Sequence, residues 1–196
     1  MSMRKILLAT RNAGKIKELK KGLQGEELEL VSLLELGDAP PFFEGGEGYW
    51  GNATGKALFY HRHYQMVTLA EDSGLEVDYL KGKPGVFSAR FGSTSQQRNQ
   101  KLLKLMEDVP WEERGAAFIC VMTIADAGKI IKVAEGRCRG IILTELKGEG
   151  GFGYDALFYY PPLDKSFAEL TTTEKTRVSH RGVALQKIKE FLRSGK

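Results

Sequence analysis

Cysteine is scarce: Cys120 and Cys138 are the only two in 196 residues, each inside an apolar or strand-like stretch. That leaves no disulfide framework and no metal-ligand spacing, and reads as two packed, reduced thiols. No apolar run approaches the roughly 18 to 20 residues of a membrane span, and Met1 to Lys5 is too short and polar to open a signal peptide. The expectation is a cytoplasmic protein with no membrane partner. Blocks of like charge, internal repeats, low-complexity segments and linkers are missing as well. The net charge of +4 therefore reads as a lysine-rich surface compatible with a phosphate ligand. A nucleic-acid-binding module is the rival from another class, suggested by the basic balance and the aromatics near Phe152, and the scattered, mixed charges argue against it.

What is present alternates between strand and helix. Ile6 to Ala9 is a short apolar run, too short for a helix, and Asn12 then caps a helix whose stripe is Ile16, Leu19 and Leu23. Leu28 to Leu33 alternates as a second strand. A glycine-rich loop at 44–51 precedes a helix over about Asn52 to Gln65. Val67 to Ala70 reads as a strand ending in Glu71-Asp72-Ser73-Gly74, with strand character resuming from Leu75 to Leu80. Ser93-Thr94-Ser95 caps a helix whose face takes in Leu102, Leu103, Leu105 and Met106. Ala116 to Ala125 and Lys129 to Ala134 flank Asp126-Ala127-Gly128, a hairpin signal, and Gly140 to Leu143 extends the meander. Ala156 to Tyr160 is another strand, and the tail from Thr171 is helical. The pattern is α/β with a mixed sheet, in one unit spanning 1–196.

Four segments carry chemistry. Thr10-Arg11-Asn12-Ala13-Gly14-Lys15 lies where a strand gives way to a helix, so free backbone N–H groups and a positive dipole end meet a mobile lysine. It is not a P-loop, since Ile16 stands where that motif needs Ser or Thr. Taken alone it reads as an ordinary capped helix. Glu71-Asp72-Ser73-Gly74, with Glu44 from the loop upstream, offers the oxygen ligands a hard Mg²⁺ ion takes; alone it reads as a solvated acidic turn. Gly148 to Gly153 with Phe152, Tyr154 and Asp155 combines a flexible backbone with aromatics suited to stacking a base. In the tail, Lys175 and His180 point apart on one continuous helix. If the helix restarts at Ser179 as an N-cap, Lys175 turns toward phosphates while His180 and Arg181 occupy the first turn beside a base.

Together and in this order, Thr-x-Asn-x-x-Lys-x-x-Glu at Thr10 to Glu18, Asn52-Ala53 with Lys56-Ala57, Glu-Asp-Ser-Gly at Glu71 to Gly74, Pro-Gly-Val-Phe-Ser-Ala-Arg at Pro84 to Arg90, Gly-Gly-Phe-Gly-Tyr-Asp at Gly150 to Asp155 and Ser-His-Arg-Gly at Ser179 to Gly182 closely resemble the inosine/xanthosine triphosphate pyrophosphatase family. The resemblance spans nearly the whole chain. It implies an elongated mixed twisted sheet flanked by helices, two lobes around a central cleft, and a homodimer. It implies hydrolysis of deaminated purine nucleoside triphosphates to the monophosphate and pyrophosphate, with Mg²⁺. Carried over, Thr10 to Lys15 contact the triphosphate, Asp72 is metal ligand and candidate base, Ser73 a substrate contact, and Glu44 the second metal-site carboxylate. Phe152, Gly153, Tyr154, Asp155, Lys175, His180 and Arg181 hold base, sugar and phosphates. One departure stands out: where the family has Thr-Phe-x-Glu-Asn-Ala, this chain reads Gly48-Tyr49-Trp50-Gly51-Asn52-Ala53. A hydroxyl and a carboxylate are missing beside the metal site, and Glu47 or Glu71 is expected to share Glu44's duty.

Two physical expectations follow. The triphosphate brings about four negative charges, to be offset by Lys15, Lys175, Arg181 and Mg²⁺. Hypoxanthine and xanthine present an acceptor at the 6-position, which suits a donor such as Arg181, whereas adenine presents an amino group there. A house-cleaning hydrolase for modified pyrimidines is the nearer rival, sharing Mg²⁺ and pyrophosphate release.

Overall fold

A computed structural model describes residues 4–45 and 48–195. Its spine is one long hairpin, β5 (Gly115–Asp126) and β6 (Lys129–Ile142). The hairpin turns through Ala127 and Gly128, both at positive φ, the two-residue turn whose twist matches that of the strands. β5 is apolar on both faces and buried on both; β6 alternates from Ala134 onward, with Glu135, Arg137 and Arg139 outward.

β3 (Val67–Val77) lies antiparallel to β5 and is paired with it from Thr68 through Val77. It runs unbroken through Glu71-Asp72-Ser73-Gly74, correcting the expected break: the polar tetrapeptide is strand because β5 pairs with every residue of it. On the other edge of β3, β1 (Arg4–Leu8) pairs in parallel only as far as Leu69, and the two-residue β4 (Pro84–Gly85) pairs only from Leu75. β2 (Leu28–Ser32) adds beyond β1, and β7 (Phe158–Tyr160) and β8 (Lys165–Ser166) extend the far side, giving the order β2-β1-β3-β5-β6-β7-β8 in a mixed sheet.

Helices cover both faces. α3 (Gly48–Tyr64) packs its Ala57 and Tyr60 with Leu7, Ala70 and Ala125 on one face. On the other, α1 (Ala13–Gly22) and α6 (His180–Arg193) close over Ile6, Leu8, Leu69, Cys120 and Met122. A third cluster, around Leu75, Phe118, Phe158 and Phe167, fills the far end of the strands with Leu102 of α4 (Ser95–Leu105) and Met106, which follows it. Leu105, expected on that buried face, is 46% exposed. A short α2 (Leu33–Leu36), capped by Ser32, was not legible as a helix. Arg114 is fully buried and donates to the carbonyls of Met106, Val109, Ile142 and Leu143, tying the end of α4 to the end of β6. No helix among the described residues is long and apolar enough to cross a membrane.

Candidate active site

Between Leu69 and Leu75, no strand among the described residues pairs with the β1 side of β3, and the pocket opens there. Because successive strand residues face opposite ways, Asp72 points to the α3 layer while Glu71 and Ser73 point to the α1 and α6 layer.

Asp72 is 4% exposed. Its Oδ2 accepts from Asn52 Nδ2 at 2.9 Å and its Oδ1 from the Ser73 amide at 2.9 Å. No cation is bonded to it among the described residues. Burial pushes its carboxyl up, Asn52 opposes, and Glu44 pushes it further up. Glu44 is half-buried and paired with Lys56 at 2.5 Å. Burial alone would raise Glu44, and Lys56 reverses that. Asn52 and Lys56 stand four residues apart on one face of α3, so one bonds Asp72 while the other holds Glu44 and the Glu71 carbonyl.

On the opposite face of the strand, Glu71 is fully engaged. Arg181 donates to both its oxygens, at 2.7 and 2.9 Å, and Lys15 lies 2.9 Å from it. Burial would raise its carboxyl, but Arg181 and then Lys15 hold it well below the usual range. The sharing of Glu44's metal duty by Glu71 is thereby corrected: it faces away from Asp72 and is saturated by cations. Glu47, the other expected substitute, lies outside the described residues.

The pairs continue as a chain. Arg181 Nη1 donates to Glu18 at 2.6 Å; Lys175 bridges Glu18 at 2.6 Å and Asp155 at 2.5 Å. Burial would raise Glu18, and Arg181 and Lys175 reverse it; burial keeps Asp155 raised in spite of Lys175. Three cations thus face three carboxylates, Glu18, Glu71 and Asp155. The expected charge offset is corrected: Lys15, Lys175 and Arg181 are already paired with carboxylates within the protein. Lys175 is locked between carboxylates instead of lying free for phosphates.

The helix restart at Ser179 is as expected. α5 (Thr172–Val178) ends, Ser179 takes extended backbone angles, and its Oγ accepts from Gly182 N at 3.1 Å. A side chain on Gly182 would overlap the Thr176 carbonyl, and one on Gly136 of β6 would overlap the His180 carbonyl. Glycine at both places lets α6 start hard against α5 and the sheet. His180 is 3% exposed, stacks on Phe118 at 4.7 Å, and its Nδ1 has no partner among the described residues. Burial, then Arg181 and Lys175, hold its pKa well below the ordinary value, so the imidazole is neutral.

Thr10 Oγ1 accepts from the Asn12 amide at 3.1 Å and Asn12 Oδ1 from Lys15 N at 3.1 Å. The amides of Ala13 and Gly14 thus head α1. Arg11 turns aside to the Ala39 carbonyl. Phe152 packs its ring on Gly14, where any side chain would collide, with Lys175 and Arg181 at 4.8 and 5.6 Å from the ring centre. Gly153 N donates to Ser95 Oγ at 3.3 Å. Tyr154, read as an exposed aromatic, is buried, donating to the Ser88 carbonyl at 2.9 Å.

One pocket, of about 570 Å³ including its open mouth, gathers Asn12, Lys15, Ser73, Gly153, Tyr154, Asp155, Lys175, His180 and Arg181, with Phe152 and Phe118 as walls. Ser88 and Arg98 also line it and were not picked from the sequence, nor were Asn52, Lys56 and Glu18 given roles there. The i, i+3 spacing of Lys15 and Glu18, and the i, i+4 spacing of Asn52 and Lys56, were the available signals. Glu44 and Asp72 sit across the strand from this pocket's base-side wall, with Lys15 close enough to both to act on their charge.

Residues 6–191 match the model of the Ham1 family. A dITP/XTP pyrophosphatase of Desulforamulus reducens is 48% identical over 191 residues, 96% of this chain and 95% of the relative. One from Clostridium perfringens is 43% identical over 97% of this chain and 98% of its own length. Among solved structures, a HAM1 protein from Coxiella burnetii superposes with a TM-score of 0.87 at 33% identity, covering 98% of this chain and 100% of that one.

Proposed function

The chain belongs to the Ham1 family, and from that membership we propose that it hydrolyses noncanonical purine nucleoside triphosphates, ITP, dITP and XTP, to the monophosphate and pyrophosphate, keeping deaminated purines out of DNA and RNA. The observation that carries the reading is Asp72, a buried carboxylate with no cation bonded to it among the described residues, opening on the same gap in the sheet as Lys15 and the head of α1.

Asp72 and Glu44 fit Mg²⁺: both are hard oxygen donors, and Asp72 is a buried carboxylate with no bonded cation among the described residues. When bound, Mg²⁺ supplies Lewis-acid polarisation of the phosphate oxygens and charge compensation. Because Lys15, Lys175 and Arg181 are already paired with carboxylates, much of the triphosphate's charge must be met by the divalent ion, the α1 amides and Arg98, which lines the pocket and bonds only carbonyls and a hydroxyl. Asn52 keeps Asp72 aimed by holding Oδ2, and Lys56 does the same for Glu44. Ala13 and Gly14 N–H groups and Lys15 orient the phosphate chain, and a water ordered against the carboxylates attacks the α-phosphorus in line with departing pyrophosphate. His180, Arg181 and Phe152 border the base, with a 6-oxo group preferred over a 6-amino group. The exposed Phe43 supports a homodimer that buries it, and a cytoplasmic location fits a nucleotide-pool enzyme.

Pyrophosphate release from ITP, XTP, GTP, ATP and dUTP, with and without EDTA, tests the reading. ITP and XTP are expected to lead and EDTA to abolish turnover; comparable rates on ATP or dUTP would replace it with a different nucleotide hydrolase.

A further inference from the structure

Arg181 has five N–H groups, and the protein takes four of them: Nε and one Nη2 hydrogen go to Glu71, the other Nη2 hydrogen to Ser73 Oγ at 3.1 Å, and one Nη1 hydrogen to Glu18. A guanidinium poised as a free fork for a base is therefore not what the pocket offers. One Nη1 hydrogen remains, and its direction is set by the groups clamping the other four.

His180, next to Arg181 in the pocket lining, cannot by itself tell a 6-oxo from a 6-amino purine. Its imidazole is neutral, its Nδ1 is unpartnered, and a neutral imidazole serves as donor in one tautomer and acceptor in the other. It can satisfy either edge by moving its own proton. Arg181 is an obligate donor. A donor on a mobile side chain, however, can swing away from a mismatched amino group and forfeit the penalty. Discrimination requires a donor that is always a donor and is unable to leave.

Resting on the reading above, we propose that Glu71 is a positioning residue for base selection: by gripping the Nε and Nη2 edge of Arg181 from the sheet, it fixes the one remaining N–H toward the 6-position and prevents the guanidinium from turning aside for a 6-amino group. Glu71 suits the task because it sits on an interior strand, 2% exposed at its side chain and registered against β5, which holds the anchor in place. It touches neither the base nor, pointing away from Asp72, the metal site. Its second partner, Lys15, lies 2.9 Å from it and is 19% exposed at its side chain, more open than the 3% of Arg181, so Lys15 can exchange Glu71 for phosphate while the Arg181 grip persists.

The test is steady-state pyrophosphate release from ITP and ATP by the wild-type chain, Glu71→Gln and Glu71→Asp. In Glu71→Gln the ratio of kcat/KM for ITP over ATP is expected to fall about 10-fold or more, chiefly through a higher KM for ITP. Glu71→Asp keeps the charge and with it the fold, but is too short to hold both Arg181 nitrogens and Lys15 together, and should give an intermediate ratio. A purely structural role would lower both substrates equally; an unchanged ratio in either folded variant overturns the proposal. A wild-type chain that turns over no ITP would instead sink the functional reading on which it rests.

Discussion

Among the described residues no cation is bonded to Asp72, while its neighbour Glu71 meets two. This single-residue difference assigns their chemistry. Asp72→Asn preserves the Asn52 contact in outline and removes the charge, so the fold should persist while ITP turnover drops roughly 10²-fold or more, measured by pyrophosphate release beside an unchanged melting curve. His180 makes the pH prediction. It faces Arg181 and Lys175 and, less closely, Lys15, with only Glu71 favouring its charge, at the positive end of α6. Its folded pKa lies below its unfolded value near 6.5. The unfolded chain therefore binds the proton first, and stability is full above about pH 6.5 and lost as pH falls below it. The slope is about 1.4 kcal/mol per pH unit. His180→Phe keeps the stack on Phe118 and should lack this loss; denaturant midpoints at pH 7.5 and 5.5 measure the difference.

At the scale of elements, the site depends on a helix that stops and begins again. α5 delivers Lys175, Ser179 restarts the chain, and α6 delivers His180 and Arg181 from its first turn. Gly182→Ala sets a methyl against the Thr176 carbonyl, so the α5–α6 corner must open. A loss of about 1 to 3 kcal/mol is expected, with a lower Tm and a lower kcat/KM that fall together because Lys175 and Arg181 move as one. The corner was legible as one of two alternatives because Ser179 can serve as an N-cap. Legible too were Asn12 as a cap and the Asp126 to Lys129 hairpin, where local chemistry decides the outcome. The unbroken β3 was not. Glu71 to Gly74 looks like a turn until β5 pairs with it, and pairing across some 49 residues leaves no local trace. Nor was the alternating chain from Lys15 to Asp155, since sequence lists cations and carboxylates without saying which of them cancel.

On the scale of the whole molecule, the two thiols report cooperativity. Cys120 lies in the sheet beside Glu71, and burial, then that carboxylate, push it well above the usual range; burial pushes Cys138 up to about 12. Neither is accessible as a thiolate while the hairpin spine is intact. A disulfide reagent such as DTNB should titrate no thiol in the native protein at pH 8 and two in denaturant, both at the rate of global unfolding; early modification of Cys138 alone would mean that the far end of the sheet opens independently.

The long zip between β3 and β5 has a quieter consequence. A strand alternates with period two, so sliding β3 by one residue would hand Asp72 to Arg181 and turn Glu71 toward Asn52. The ladder from Thr68 to Val77 works as an indexing key: it decides, before any side chain moves, which acid remains open to a metal and which is given to the protein's own cations.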